Sequence, residues 1–351
     1  MIKIIELPPA SQPDANLQQG VLAVNRATVI EKMGDAEFAM QPHQLHNRLT
    51  PSPDWASVVA AAVDDDQVIG YATGLAPQSD NTALSEIGVV VHPDHRRLGI
   101  GAELLAWVER WSIDLGRSTL VSSMLAPCPS PATPLVSAPT GDTFPADQRG
   151  WLFAARHGYA LEQVARVSLL HLPVIDLDAL KQEALSHAEG YRLHTWFGLM
   201  PVQWQGGYAA LRSRVPYDEP NAGIEVEEEV WDAQRVRRDC ETDESIGVHR
   251  LTVAAEHLAS GQLVAFTEIY LSPDRPDCGF QGYTFARADH RGHRLGLLVK
   301  TAAIDALAAA YPRVDHIQTD NAGENSWMLA INHAMGYELA AVSAQLQKKL
   351  V

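Results

Sequence analysis

Apolar positions along this chain follow two alternating periods. Short apolar runs bounded by turn residues predict strands, and spacings of three and four predict helices. Ile2–Leu7 reads as a strand closed by Pro8 and Pro9, Asp14–Met33 as a helix with Leu17, Val21, Val24 and Ala27 on one side, and Pro42–Leu49 as a second short helix. Ser57–Val63 and Val68–Leu75 form a hairpin about Asp64-Asp65-Asp66, and Ala83–Val91 is the next strand. From Gly101 the period becomes helical through Leu104, Leu105, Val108 and Trp111, with Glu103, Glu109 and Arg110 away from that stripe. Thr119–Ser123 returns to strand. Ala126–Asp147 is rich in Pro, Ser, Thr and Gly, shows no sustained period, and reads as a long loop. A short helix over Trp151–Arg156 and an apolar run over Val164–Val174 close this half.

The same grammar then repeats. Asp176–His187, Val202–Ser213 and Val230–Cys240 read as helices, and Tyr191–Phe197 as a strand. His249–Ala255 and Leu263–Tyr270 form a second hairpin, followed by a strand over Phe280–Ala286, a helix over Leu297–Ala309, a strand over His316–Thr319, a helix over Asn325–Ala334 and a hairpin-like tail over Tyr337–Leu350. Gly101 and Gly296 are 195 residues apart, as are Val68 and Leu263, whereas Gly158-Tyr159 and Gly336-Tyr337 are 178 apart. The chain is an internal duplication, with 17 extra residues in the first copy that fall most naturally in Ala126–Asp147. The expected division is 1–174 and 175–351.

At the centre of each copy a strand enters a glycine-bearing turn and then a helix, over Ser85–Trp111 and Gln281–Ala310. Backbone N–H groups at such a helix start lack internal partners, and the helix dipole favours negative charge there. Glycine lets the amides curl around an anion, and Arg96 and Arg97 add charged donors. The dinucleotide pattern fails because Leu104 stands where a third glycine belongs, and no G-K-[ST] follows either turn. Arg96-x-x-Gly99-x-Gly101 instead resembles the [QR]-x-x-G-x-[GA] signature of the GNAT acyltransferases. In the second copy, Arg291-Gly292-His293-Arg294-Leu295-Gly296 puts Arg294 at the middle glycine.

That resemblance covers nearly the whole chain twice and is shared with tandem GNAT proteins such as mycothiol synthase. It implies an α/β (α+β) fold of two fused GNAT domains, each a mixed twisted sheet flanked by helices. It implies acetyl-CoA as acyl donor, held by Val89, Val91, Arg96, Arg97, Gly99, Gly101 and Ala102 in the first copy. Arg291, Gly292, Arg294, Gly296 and Asn325 are the corresponding candidates in the second. Glu86 matches the strand glutamate that serves as general base in some GNAT enzymes; the place matched by counting back from Gly296 is Gln281, which cannot act as a base. The family's usual acid is a tyrosine four residues before the terminal glycine, and here Ala154 and Asn332 stand there. Tyr159 and Tyr337 read as core. Asn325 reads as a pantetheine contact, a helix N-cap, or both.

Composition narrows the function without naming the acceptor. The formal net charge of −16 argues against a sequence-blind nucleic-acid binder, and no run approaches the ~18 apolar residues of a membrane span. The N-terminus shows no signal-peptide pattern, so a cytoplasmic location is expected. Cys128, Cys240 and Cys278 suggest neither a disulfide framework nor a zinc site. His43-x-x-His46 and His290-x-x-His293 lack companion ligands, so no metal is expected. Trp204, Trp231 and Trp327 are read as pocket-lining or packing residues. The partner expected is a small-molecule or peptide amine; the rival is a non-catalytic, coenzyme-binding protein. The long loop is expected to fold over the first coenzyme site.

Overall fold

The computed structural model describes residues 2–224 and 226–350. The chain forms two compact units. Unit 1 comprises Met1–Val164, Ala222–Glu227 and Val342–Val351, and unit 2 comprises Ala165–Asn221 and Glu228–Ala341. The division is therefore not a single cut: a short segment and the last strand from Val342 onward return to unit 1, and the expected boundary after Val174 falls within unit 2.

In chain order the elements are β1 (Lys3–Glu6), α1 (Ala15–Met33), α2 (Pro42–Leu49), β2 (Trp55–Asp64), β3 (Gln67–Pro77), β4 (Leu84–Val91), α3 (Ile100–Asp114), β5 (Thr119–Pro127), β6 (Leu135–Ser137), β7 (Thr143–Pro145), α4 (Arg149–Arg156) and β8 (Ala160–His171). There follow α5 (Leu177–Ser186), β9 (Tyr191–Phe197), α6 (Val202–Arg212), α7 (Val215–Asp218), α8 (Ala233–Ser245), β10 (His249–His257), β11 (Gln262–Ser272), β12 (Arg275–Ala286), α9 (Leu295–Ala310), β13 (His316–Ala322), α10 (Ser326–Met335) and β14 (Glu338–Lys349).

In unit 1 the strands run β1-β2-β3-β4-β5, antiparallel except for the parallel β4–β5 pair. The β2–β3 turn is Asp65-Asp66 with φ 44° and 66°, the left-handed pair that a two-residue hairpin demands. Asp14 caps α1 by accepting from Asn16 and Leu17 N–H at 3.1 Å each. Helix α3 lays Ile100, Leu104, Leu105 and Val108 into a core with Ile69, Ala72, Ile87 and Leu120. Full burial of side chains such as Leu104 contributes about 2 kcal/mol each.

In unit 2 the order is β8-β13-β12-β11-β10-β9, with β12–β13 the parallel pair. Helix α9 buries Leu297, Leu298, Val299, Ala303, Ile304 and Leu307 against one face of that sheet. A separate core gathers Tyr208, Phe266, Phe285 and Val236. No helix among the described residues is long and apolar enough to cross a membrane.

Two sequence expectations change. Ala126–Asp147 is not an irregular loop: β6 and β7 pair antiparallel within it, and Ala138 and Phe144 are buried in the unit 1 core. Its Pro- and Ser-rich composition hid two three-residue strands too short to show a period. The tail is one twelve-residue strand, not a hairpin, because no turn residue interrupts Glu338–Lys349.

Candidate functional site

In unit 1, β4 and β5 pair in parallel only over Leu84–Glu86 and Thr119–Val121. Beyond Glu86↔Val121 they part, while β4 stays paired to β3 as far as Gly70↔Val91. The β5-side edge of Val89–Val91 is thus an unpaired strand edge, able to take an extended amide-bearing ligand. The glycine loop and the start of α3 stand at the open end of this wedge. Gly99 is the N-cap with φ 85°, and Arg97 has φ 66°. The helix's own bonds begin with Ala102 and Glu103 donating to the Gly99 carbonyl at 3.0 and 3.2 Å, so the N–H groups of Ile100 and Gly101 lie before them. A Cβ on Gly101 would meet Phe153 only at 3.5 Å. Internal packing does not require glycine there, and the free space is what an anion approaching the amides needs.

Arg96 donates from Nε to the Val91 carbonyl at 3.2 Å and from Nη1 to both Glu31 oxygens at 2.9 and 2.8 Å. Arg149, at the start of α4, lies 3.6 Å from Glu31. Lys32 donates to the Leu125 carbonyl at 3.0 Å, and burial together with Arg96 holds its ammonium below the ordinary lysine value. Glu31 thus sits among the positive groups of Arg96 and Arg149 and beside Lys32. Sequence reasoning missed it: 65 residues separate it from Arg96, and no local spacing links them.

Glu86 is the last β4 residue paired with β5. Its side chain is 47% exposed and 3.4 Å from Arg48, so the carboxylate reaches solvent at the point where the strands part. Ala154, on α4, offers no acid. Tyr159 is buried, its hydroxyl donating to Glu109 at 2.8 Å; Lys348 holds the same carboxylate at 2.7 Å. Burial and Glu109 push the phenol far above its ordinary value, which agrees with its reading as core.

Unit 2 repeats the wedge, with β12 and β13 paired only over Cys278–Phe280 and His316–Gln318. Its loop has left-handed residues at the same two positions, with the residue types exchanged. Gly292 has φ 89° where copy 1 has Arg97, and Arg294 has φ 53° where copy 1 has Gly99. Arg294 pairs with Glu183 at 2.9 Å and Arg291 with Asp218 at 3.4 Å. A Cβ on Gly296 would meet Ile331 Cδ1 at 3.1 Å, so this glycine serves packing against α10 as well.

The counted match of Gln281 to Glu86 does not hold in space. The β11–β12 register shifts between Thr267 and Ile269, an extra residue on β12 that turns the following side chains over. Phe280, paired with Tyr270, takes the place that Glu86 takes beside Leu75. Gln281 is buried, donating to Thr267 Oγ1 at 2.8 Å and to the Glu268 carbonyl at 2.6 Å. Asn325 caps α10, accepting from Met328 N–H at 3.2 Å, which leaves its Nδ2 for any ligand. Asn332 bridges Lys300 and Asn321, accepting from Lys300 Nζ at 2.7 Å and donating to Asn321 Oδ1 at 2.6 Å.

Residues 28–124 match the model of the acetyltransferase (GNAT) family. A solved tandem GNAT protein from the clavulanic acid biosynthesis pathway superposes with a TM-score of 0.76 at 21% identity, covering 99% of this chain and 98% of that one. A GCN5-related N-acetyltransferase from Sphaerobacter thermophilus gives 0.60 at 15% identity, with 99% and 95% coverage. An acetyltransferase from Pyrococcus horikoshii, described as putative, gives 0.57 at 12%, with 100% and 90% coverage. No curated protein sequence matches the chain. The first half thus matches the GNAT family model over residues 28–124, and the chain has the fold of the solved tandem GNAT protein along its whole length.

Proposed function

We propose that this protein is an acyl-coenzyme A dependent N-acyltransferase, with acetyl-CoA as donor and unit 1 as the catalytic half. The observation that carries this reading is the β4–β5 wedge, with a solvent-reached carboxylate where the strands part and an anion-ready glycine loop at its open end. The pyrophosphate would meet the N–H groups of Ile100 and Gly101, with Arg96 and Arg97 beside it and Ala102 at the first turn. The pantetheine amides would extend along Val89–Val91. The acceptor amine attacks the thioester carbonyl, Glu86 takes the proton the amine loses, and the thiolate leaves and is protonated by water, since Ala154 supplies no acid. The acceptor is an amine of a small molecule or peptide; the net charge of −16 steers cationic molecules toward the surface.

For unit 2 a binding-only role is the better reading. Phe280 replaces the candidate base there, and Asn332 is tied up by Lys300 and Asn321. Calorimetry with acetyl-CoA on the wild type, Gly101→Glu and Gly296→Glu tests the assignment. Gly101→Glu, which puts a carboxylate into the phosphate position, is expected to remove the binding measured at pH 8. Unchanged binding in that variant sinks the unit 1 assignment.

A further inference from the structure

The second glycine loop is ringed by histidines that its role as a degenerate copy does not use. His290 Nδ1 lies 2.8 Å from the Tyr191 hydroxyl. The Tyr191 ring also contacts His257 and His293, at centroid distances of 5.4 and 5.3 Å, and His257 lies 4.8 Å from His290. His293 Nδ1 is 3.2 Å from the His187 carbonyl, and His257 Nδ1 is 3.0 Å from Ser260 Oγ. Three imidazoles thus gather at one side of the loop, each engaged through Nδ1, and His290 also lies with Nε2 3.8 Å from Asp289 Oδ2.

Each arginine of this loop is met by a carboxylate. Arg287 pairs with Asp289, Arg294 with Glu183, and Arg291 with Asp218, which Arg214 also approaches at 3.9 Å. Tyr191 stays neutral, since burial and Asp289 raise its phenol above the ordinary value. With the loop's arginines each engaged by a carboxylate, the imidazoles are the groups whose charge can change there. We propose that the unit 2 loop, with His257, His290 and His293, is a second site for a phosphate-bearing ligand, filled only when these imidazoles are protonated. This rests on reading the glycine loops as phosphate cradles, but not on unit 1 being catalytic.

The direction follows from linkage. Burial and the neighbouring His257, Arg287 and His293 hold His290 below the ordinary imidazole value, against the pull of Asp289. His290 is therefore largely neutral at pH 8. A bound phosphate favours the protonated form, so affinity rises as pH falls, by at most about tenfold per pH unit for each proton taken up.

The probe is coenzyme A, titrated calorimetrically at pH 8 and pH 5.5. In Gly101→Glu protein, which leaves only unit 2 to bind, affinity is expected to rise at least about tenfold from pH 8 to pH 5.5. In the same background, His290→Gln with His293→Gln should abolish that rise. Titration of the ligand's own phosphate is common to both proteins and cancels in the comparison. Should Gly101→Glu fail to fold, wild-type stoichiometry gives the answer, with one site at pH 8 and two at pH 5.5, the second lost in the histidine variant. Equal unit 2 affinity at both pH values, a rise that survives the histidine changes, or no second site at pH 5.5 overturns the proposal. Absence of wild-type binding at pH 8 alone would instead count against the unit 1 reading.

Discussion

The two copies solve one burial problem in opposite ways. In unit 1, Tyr159 and Lys348 share Glu109, so the lysine's charge is met by a carboxylate at 2.7 Å. In unit 2, Lys300 lies 4.7 Å above the Tyr337 ring and, among the described residues, has only the Asn332 amide as hydrogen-bond partner. The position matching Glu109 at the 195-residue offset is Ile304, and the one matching Lys300 is Leu105. An exchange of charged and apolar residues between α3 and α9 has left a lysine in unit 2 that is 1% exposed and pairs with no carboxylate among the described residues. The wedges differ alongside it: Glu86 stands at the parting of the strands in unit 1, Phe280 in unit 2. One copy has a carboxylate at that point, and the other keeps only the backbone arrangement.

The largest expected effect tests that contrast at the base. Glu86→Gln should lower kcat/KM for acyl transfer by roughly a thousandfold, the scale of a positioned general base, with acetyl-CoA affinity unchanged. Gln281→Ala should leave turnover as it is, because that side chain faces Thr267 and Glu268 rather than the wedge. Equal losses in the two variants, measured by thiol release with an accepted amine, would remove the distinction between the copies.

Next in size is Glu109→Leu. It leaves the partly buried Lys348 uncompensated and the Tyr159 hydroxyl without its acceptor, and is expected to destabilise the protein by about 3 kcal/mol. Denaturant midpoints measure it. A loss below about 1 kcal/mol would mean that this pair behaves as a surface salt bridge.

Lys300→Met should act in the opposite direction. Burial lowers the Lys300 ammonium from 10.5 to about 7 in the folded protein. Between those values the unfolded chain holds the proton more tightly, so stability rises with pH from about 7 toward 10.5, and the full penalty is present below that window. Methionine removes the charge and keeps the length. A gain of about 2 kcal/mol near pH 7 is expected, after allowing for the orphaned Asn332 oxygen. The variant should also lose the wild type's extra rise in stability between pH 7 and 9.5.

Much of this architecture is legible in the residues. The strand–loop–helix grammar and the 195-residue offset locate both loops, because a glycine at a left-handed position and an amphipathic helix leave local signatures. What stayed hidden is non-local or depends on register. Glu31 reaches Arg96 from α1 without any spacing rule. The offset that matched Gly101 to Gly296 matched Glu86 to the wrong residue, because one bulge near Gly282 slides β12 past β11. A Cβ on Gly282 would lie 2.6 Å from Tyr270 Cε2, which is why the bulge needs glycine. In sequence that glycine looks like any other.

The smallest expected effect concerns the loops themselves. Gly99 has φ 85° and ψ −14°, beyond the region that residues with a Cβ tolerate, whereas Arg294 at the same place has φ 53° and ψ 22°, close to it. No heavy atom lies within 4 Å of a Cβ built on Gly99, so the cost of adding one is conformational rather than steric crowding by neighbours. Gly99→Ala should therefore destabilise unit 1 by about 1 kcal/mol. Arg294→Ala, which keeps the left-handed strain and loses only a half-exposed ion pair to Glu183, should stay within about 0.5 kcal/mol of the wild type. Urea denaturation of the two variants compares them directly. If both cost the same, the loops share one conformation, and the tightness of the first loop is not what sets it apart as the donor site. If only Gly99→Ala costs stability, that loop is held in a geometry its sequence alone permits, as a preformed phosphate cradle requires.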